Sequence, residues 1–143
     1  KKIALTICED LWNVQDNPLY TINPMDELMK HHPDVMINIA ASPFNYKQTE
    51  TRKEVLFKNA NRYKLPLIYV NHVGAQTELL FDGGSLVMDN NGKIIRELKY
   101  FEEDFDMVDI DNLHSTKKSV QPKKTEIELI HDALVMGVKN YFQ

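Results

Sequence analysis

Val35-Met36-Ile37-Asn38-Ile39-Ala40-Ala41 is a short apolar run set between two turn signals, Pro33-Asp34 and Ser42-Pro43. A bounded run of this kind reads as a strand buried on both faces, as in a parallel sheet covered by helices. Its neighbours carry the same reading outward. Lys2 to Cys8 alternates, with Ile3, Leu5 and Ile7 on one face and Ala4, Thr6 and Cys8 on the other, and a period of two means a strand. Pro66 to Val73 is a third strand, entered after a break at Lys64. A helix is predicted between them, from about Thr49 to Tyr63, with Leu56, Ala60 and Tyr63 inward and Arg52, Lys53, Lys58 and Arg62 largely outward. A loop through Asn17-Pro18 leads to Asn23 as a helix cap and Pro24 at the first helical position. Met25, Leu28 and Met29 form the buried stripe of this short helix, which ends near His31-His32-Pro33.

Downstream, Leu79 to Met88 reads as a strand interrupted at Gly83-Gly84, where a bulge or close backbone approach is expected. Asp89-Asn90-Asn91-Gly92 is a turn, Ile94 to Phe101 its returning hairpin partner, and Phe105 to Ile110 a last alternating strand. The order β, α, β, α, β and then a β-meander places the chain in the α+β class. Leu113 to Lys124 is polar and basic, which is linker composition. Thr125 followed by Glu128 is a capping box, and Ile127, Ile130, Leu134, Val138 and Tyr141 mark one face of the helix it opens. That face has no obvious partner, so the expected division is a domain over 1–113, a linker over 114–124 and the first helix of a further domain over 125–143. A C-terminal helix folding back on its own domain is the competing reading. A strand beginning at residue 2 likewise reads as the inside of a domain, with a trimmed N-terminal edge strand as the alternative.

Composition narrows the function classes. The chain has 143 residues, with 17 basic and 21 acidic side chains and a net charge of −4, a balance that argues against a nucleic-acid surface built on bulk charge. No apolar run approaches the roughly 20 residues of a membrane span. Cys8 is the single cysteine, which excludes an internal disulfide and any cage of two thiolates and fits a reducing, cytoplasmic setting.

Cys8 stands at the end of its strand and is followed at once by Glu9-Asp10. Two adjacent carboxylates are expected to hold a thiol above its reference pKa of about 8.5, so activation needs a base and a cation from elsewhere. A lone cysteine on a strand is also what a small core residue looks like. Asn13, five residues on, rules out a Cys-x-x-x-x-x-Arg phosphate loop. His31 and His32 are sequence neighbours that diverge by about 100° on a helix and make a poor metal pair. His72 could form a dyad with Cys8, or could be a polar group at a strand end. Gly83-Gly84-Ser85 lacks the following helix of a phosphate loop and reads better as a glycine bulge.

Ile7-Cys8-Glu9-Asp10-Leu11-Trp12 closely resembles the nucleophile segment in the glutaminase domain of glutamine-dependent NAD synthetases, within the nitrilase (carbon–nitrogen hydrolase) superfamily. Three further stretches agree in order. Asn38-Ile39-Ala40-Ala41-Ser42-Pro43-Phe44 is similar to the family's Asn-x-x-Ala-Ser-Pro strand end. Val70-Asn71-His72-Val73-Gly74-Ala75-Gln76 and Phe81-Asp82-Gly83-Gly84-Ser85 resemble its Asn-Gln-Val-Gly-Gly-Gln and Phe-Asp-Gly-x-Ser pair. Ala133 to Phe142 resembles the helix that opens the synthetase domain.

The resemblance implies half of a nitrilase-type α-β-β-α four-layer sandwich. It implies Cys8 as the nucleophile of a Glu–Lys–Cys triad whose other two members precede the cysteine segment, so that residues 1–143 alone are inert. Glu9, Trp12 and Ser42 are implied as glutamine-pocket residues; core packing is the alternative for Trp12 and a strand-end turn for Ser42. The basic partner usual beside Ser42 falls between Lys47 and Gln48 and is left open. No cofactor is implied for this portion, while the parent needs ATP and magnesium for a later amidation step. Implied partners are glutamine, the remainder of the parent chain with its synthetase domain, and further copies in a homo-oligomer, with no nucleic acid and no membrane. Two rivals stand beside this reading: a stand-alone nitrilase-type amidase with another substrate, and a non-catalytic nitrilase-like assembly module. Many such amidases carry an aromatic residue directly after the cysteine, where this chain has Glu9-Asp10.

Overall fold

A computed structural model of the chain describes residues 1–14 and 20–142. The expected loop through Asn17-Pro18 lies outside the described residues. Three parallel strands form the centre: β1 (Ile3–Ile7), β2 (Val35–Ala40) and β3 (Leu67–Asn71). Antiparallel β6 (Leu86–Met88) and β7 (Ile94–Glu97) extend the sheet in the order β1-β2-β3-β6-β7. The apolar runs that define β1, β2 and β3 in the sequence therefore lie side by side. Helices α1 (Pro24–Met29) and α2 (Gln48–Tyr63) cover one face. Ala4, Met36, Leu67 and Tyr69 from the sheet meet Met25, Val55, Leu56 and Ala60 from the helices in a single core.

The opposite face is open, which corrects the expectation that β2 is buried on both sides. Leu5 is 52% and Ile7 64% exposed, and Ile3, Ile39 and Val70 are exposed with them. Alternation places these side chains on the face away from α1 and α2, where no described element covers them.

α2 corrects a second expectation. Arg52, expected outward, is 2% exposed and forms two hydrogen bonds with Asp82, at 3.0 and 2.6 Å. Lys53 turns toward buried Glu97 at 2.6 Å, whereas Arg62 stays at the surface against Asp26 at 3.0 Å. A guanidinium can enter a core when a carboxylate meets it with matched geometry. The helix ends where Lys64 adopts φ 54°.

The run Pro66–Val73 is divided. β3 stops at Asn71, and β4 (Val73–Gln76) leaves the sheet to pair with β5 (Leu79–Asp82) in a separate hairpin. Gly83 and Gly84, at φ 69° and 64°, carry the chain back from β5 into β6, so the expected interruption is a crossover between two sheets. A Cβ at Gly84 would collide with the Tyr100 ring, whose hydroxyl donates to Glu97 at 2.6 Å. Burial first, and then the Glu97 carboxylate, push the Tyr100 phenol well above its ordinary pKa.

Phe105 to Ile110 is not a strand. Residues 103–109 are irregular, Phe105 and Met107 are exposed, and Ile110–Ser115 forms a short 3₁₀ segment. The outer edge of β7 is taken instead by Ser119: Ser119 N–H donates to Ile95 O at 3.1 Å and Glu97 N–H to Ser119 O at 2.9 Å. A strand without an edge to pair against gains no ladder hydrogen bonds. Gln121 continues the attachment, donating from Nε2 to Glu97 O at 3.1 Å.

The capping box at Thr125 and Glu128 opens α3 (Glu126–Tyr141). Ala133 and Met136 are buried, Gly137 lies against Leu80, and Asn140 Oδ1 accepts from Ala75 N–H at 2.9 Å, so α3 rests on the β4–β5 hairpin. The stripe read from the sequence faces elsewhere: Ile127, Leu134, Val138 and Tyr141 are all exposed, Tyr141 at 83%.

Candidate active site at the carboxyl ends of the parallel strands

Register brings the site together. Ile7 pairs with Ile39 and Ile39 with Val70, so Cys8, the Ala41-Ser42 turn and His72 all leave the sheet at one end. Ligand sites in open α/β sheets are found at this end.

Cys8 begins a 3₁₀ turn, Cys8–Leu11, with φ 48°. The left-handed conformation costs a residue with a Cβ roughly 1–2 kcal/mol, so the surrounding contacts must hold it. Asp10 Oδ2 accepts from Ile7 N–H at 2.8 Å, and Trp12 N–H donates to Glu9 O at 2.8 Å. Asn38 Nδ2 donates to Cys8 O at 3.3 Å. The cysteine is half-buried at this elbow rather than sealed in the core. A strand-to-turn elbow lifts a nucleophile off the sheet and aims following backbone N–H groups at the same point.

Glu9 is exposed and accepts from Tyr20 Oη at 3.1 Å, which together with the adjacent Asp10 raises the Tyr20 phenol. Glu9, Asp10, Tyr20, Thr21, Ile22 and Pro24 line a cavity of about 550 Å³. Trp12 is partly buried and packs against the core, the alternative considered for it. Ser42 is buried, with its N–H donating to Asn71 Oδ1 at 2.9 Å. Lys47 is exposed over the Tyr46 ring, 5.5 Å from its centroid, and Gln48 opens α2 beside it. His72 packs edge-on against Phe81, ring centroids 4.8 Å apart, and its backbone N–H donates to Ala40 O at 2.9 Å, which ties it to the end of β2 rather than to Cys8.

One group of side chains escapes sequence reasoning. Asn71 Nδ2 donates to Asp82 Oδ1 at 3.2 Å and to Gly83 O at 2.9 Å while its Oδ1 holds Ser42. Asp82 is itself gripped by Arg52, with Thr49 Oγ1 at 3.5 Å. Burial opposes the Arg52 charge, but the Asp82 carboxylate beside it more than compensates and raises its pKa above the ordinary value. Asn71 and Asp82 stand in the stretches that carry the family resemblance; Arg52, on the expected polar face of α2, carries no such signal.

No protein-family model matches the chain. Over 98% of its length it is 36% identical to a glutamine-dependent NAD(+) synthetase of Synechocystis, covering 26% of that protein. The solved glutamine-dependent NAD+ synthetase of Acinetobacter baumannii superposes with a TM-score of 0.78 at 29% identity, over 97% of this chain and 25% of that one. The match is to glutamine-dependent NAD synthetases. The chain spans about a quarter of the length of the synthetase relatives it matches. A carbon–nitrogen hydrolase of Helicobacter pylori superposes at a TM-score of 0.59 and 18% identity, over 68% of this chain and 36% of that one. The fold is thus shared with that carbon–nitrogen hydrolase over about two thirds of the chain, and with the synthetase over nearly all of it. At 98% of the chain, the synthetase alignment takes in both Cys8 and α3.

Proposed function

We propose that this chain supplies the nucleophile of a glutaminase, and that the protein containing it hydrolyses glutamine to feed ammonia into ATP-dependent amidation of nicotinic acid adenine dinucleotide. The observation that carries the reading is Cys8 at φ 48° on the elbow after β1, in a chain similar to synthetases along nearly its whole length. Cys8 Sγ attacks the side-chain amide carbon of glutamine. The tetrahedral oxyanion collapses to a thioester as ammonia leaves, and water then cleaves the thioester to glutamate and free thiol. The elbow contributes a backbone N–H toward the oxyanion. The general base and the lysine of the triad come from the remainder of the parent chain, so residues 1–143 alone hydrolyse no glutamine.

The open face bearing Leu5, Ile7 and Ile39 suits the second sheet of an α-β-β-α sandwich, formed by that remainder. The outward stripe of α3 suits a synthetase domain. The hydrolytic step needs no cofactor. ATP and magnesium belong to the amidation step, carried by the remainder of the parent chain. Gly83-Gly84 runs into β6 rather than a helix, and among the described residues no group of three His, Cys, Asp or Glu could hold a metal ion. Among the described residues no helix is long and apolar enough to cross a membrane. A cytoplasmic homo-oligomer is part of the same proposal.

Glu9 tests the substrate. Glutamine carries an ammonium at its amino-acid end, and Glu9, which follows Cys8 in the chain and lines the cavity with Tyr20, can complement it. A charged hydrogen bond contributes about 1.5–3 kcal/mol, so Glu9→Gln in the full-length protein should lower kcat/KM for glutamine roughly 10- to 150-fold. Turnover of a des-amino analogue should be unchanged, as measured by steady-state kinetics. An equal loss on both substrates would make Glu9 a scaffold residue of the turn, and the glutamine-pocket assignment would fall. Removing Lys47 should have a smaller effect.

A further inference from the structure

We propose that Asn38 is a positioning residue for the nucleophile, its side-chain amide holding the Cys8 elbow in its reactive conformation. The proposal rests on reading Cys8 as the nucleophile. Asn38 lies on β2, one strand away from Cys8, and is 1% exposed. It faces the helix-covered side of the sheet, where its neighbours along the strand on that face, Met36 and Ala40, are apolar. Packing alone would favour another apolar residue there, because a buried amide loses its hydration unless it is repaired by partners.

Its partners are specific. Nδ2 donates to Thr6 Oγ1 at 3.0 Å and to Cys8 O at 3.3 Å, and Thr6 Oγ1 donates in turn to Ile37 O at 3.3 Å. Thr6 and Cys8 are the last inward residue of β1 and the first residue beyond it. The amide therefore clamps the strand end on either side of Ile7, where the backbone turns from extended to φ 48°. Asp10 holds the same turn from its other end by accepting from Ile7 N–H. Without the clamp, Cys8 can relax toward the extended conformation that a residue with a Cβ prefers, carrying Sγ and the following N–H groups away from a common point. Asn38 touches Cys8 through the backbone carbonyl, so it acts on the geometry of attack rather than on glutamine itself.

The test uses the full-length protein with Asn38→Leu, which keeps the branching of the side chain and removes both hydrogen bonds, and Asn38→Asp, which preserves shape and removes the donor. Displacing a reacting group by about 1 Å costs on the order of 100-fold, so both variants should lose roughly 100-fold in glutaminase kcat with KM for glutamine within about 2-fold. NAD formation driven by added ammonium chloride should stay at the wild-type rate and serve as the measure of intact folding. Glutaminase kcat within about 3-fold of wild type in Asn38→Leu would overturn the proposal. So would a parallel loss of ammonium-driven synthesis in both variants, which would make Asn38 a residue of the core alone. Cys8→Ala run alongside separates the two levels. If that variant keeps glutaminase activity, the nucleophile assignment itself has failed; if it loses activity while Asn38→Leu retains it, only the role of Asn38 has.

Discussion

Cys8→Ala in the full-length protein is expected to lower glutamine hydrolysis by roughly 10⁴- to 10⁶-fold, the scale seen when a covalent nucleophile is removed from a working constellation. Alanine preserves the β1 end and the turn that follows, because the contacts that hold the elbow run through backbone atoms and through Asp10 and Asn38 rather than through the thiol. Loss of activity therefore reports loss of sulfur. Cys8→Ser should fail nearly as badly: a hydroxyl ionises far less readily than a thiol near neutral pH and is a poorer nucleophile without a base tuned to it. Ammonium-driven NAD formation should survive both changes, as a coupled assay of glutamine-driven and ammonium-driven rates will read. Glutamine hydrolysis by Cys8→Ala within about 10-fold of wild type would remove Cys8 from the mechanism.

The second large effect concerns Arg52 and Asp82, buried at side-chain exposures of 3% and 1%. Arg52→Ala leaves the Asp82 carboxylate in the core with only Asn71 and Thr49 as neutral partners. Breaking a buried pair from one side costs about 3–5 kcal/mol, equivalent to a fall of roughly 10–17 °C in the melting temperature of a domain this size. The loss should also spread to the site, since Asp82 orients Asn71 and Asn71 holds Ser42 N–H. Arg52→Met combined with Asp82→Leu removes both charges and should recover at least half of the stability, because apolar residues of similar volume replace such pairs at little cost. Urea midpoints for the single and double variants decide this. An Arg52→Ala cost below about 1 kcal/mol would mean that water reaches Asp82 and that the pair is not a closed one.

The sequence makes the parallel centre of the fold legible through period and punctuation. Alternation at Ile3 to Ile7, turn signals around Val35 to Ala41, the break at Lys64 and the Thr125–Glu128 box each appear where the chemistry places them. What period cannot tell is what covers a face. β2 reads as doubly buried because its side chains are apolar on both sides, yet only one side meets helices. The same blindness hides Arg52, whose charge assigns it to solvent until its partner on β5, 30 residues away, is known. The run Pro66–Val73 is shared between two sheets with nothing local to mark the change of partner, whereas in Leu79–Met88 the change falls at the interruption expected at Gly83-Gly84. Phe105 to Ile110 alternates as a strand does, but the edge it needed is occupied by Ser119. At the site, Cys8 and Ser42 are recognisable from motifs and Asn71 and Asp82 lie within them, while Arg52 becomes visible only through its hydrogen bonds to Asp82.

The central claim is that Cys8 carries the acyl group of glutamine. Acid-quenching the full-length protein during steady turnover of glutamine, followed by peptide mass analysis, tests it directly. The account predicts one γ-glutamyl group on the peptide containing Cys8, absent from Cys8→Ala and discharged by added hydroxylamine as a thioester is. A γ-glutamyl adduct on a different residue, or undiminished turnover with Cys8 unmodified at every quench time, would contradict it.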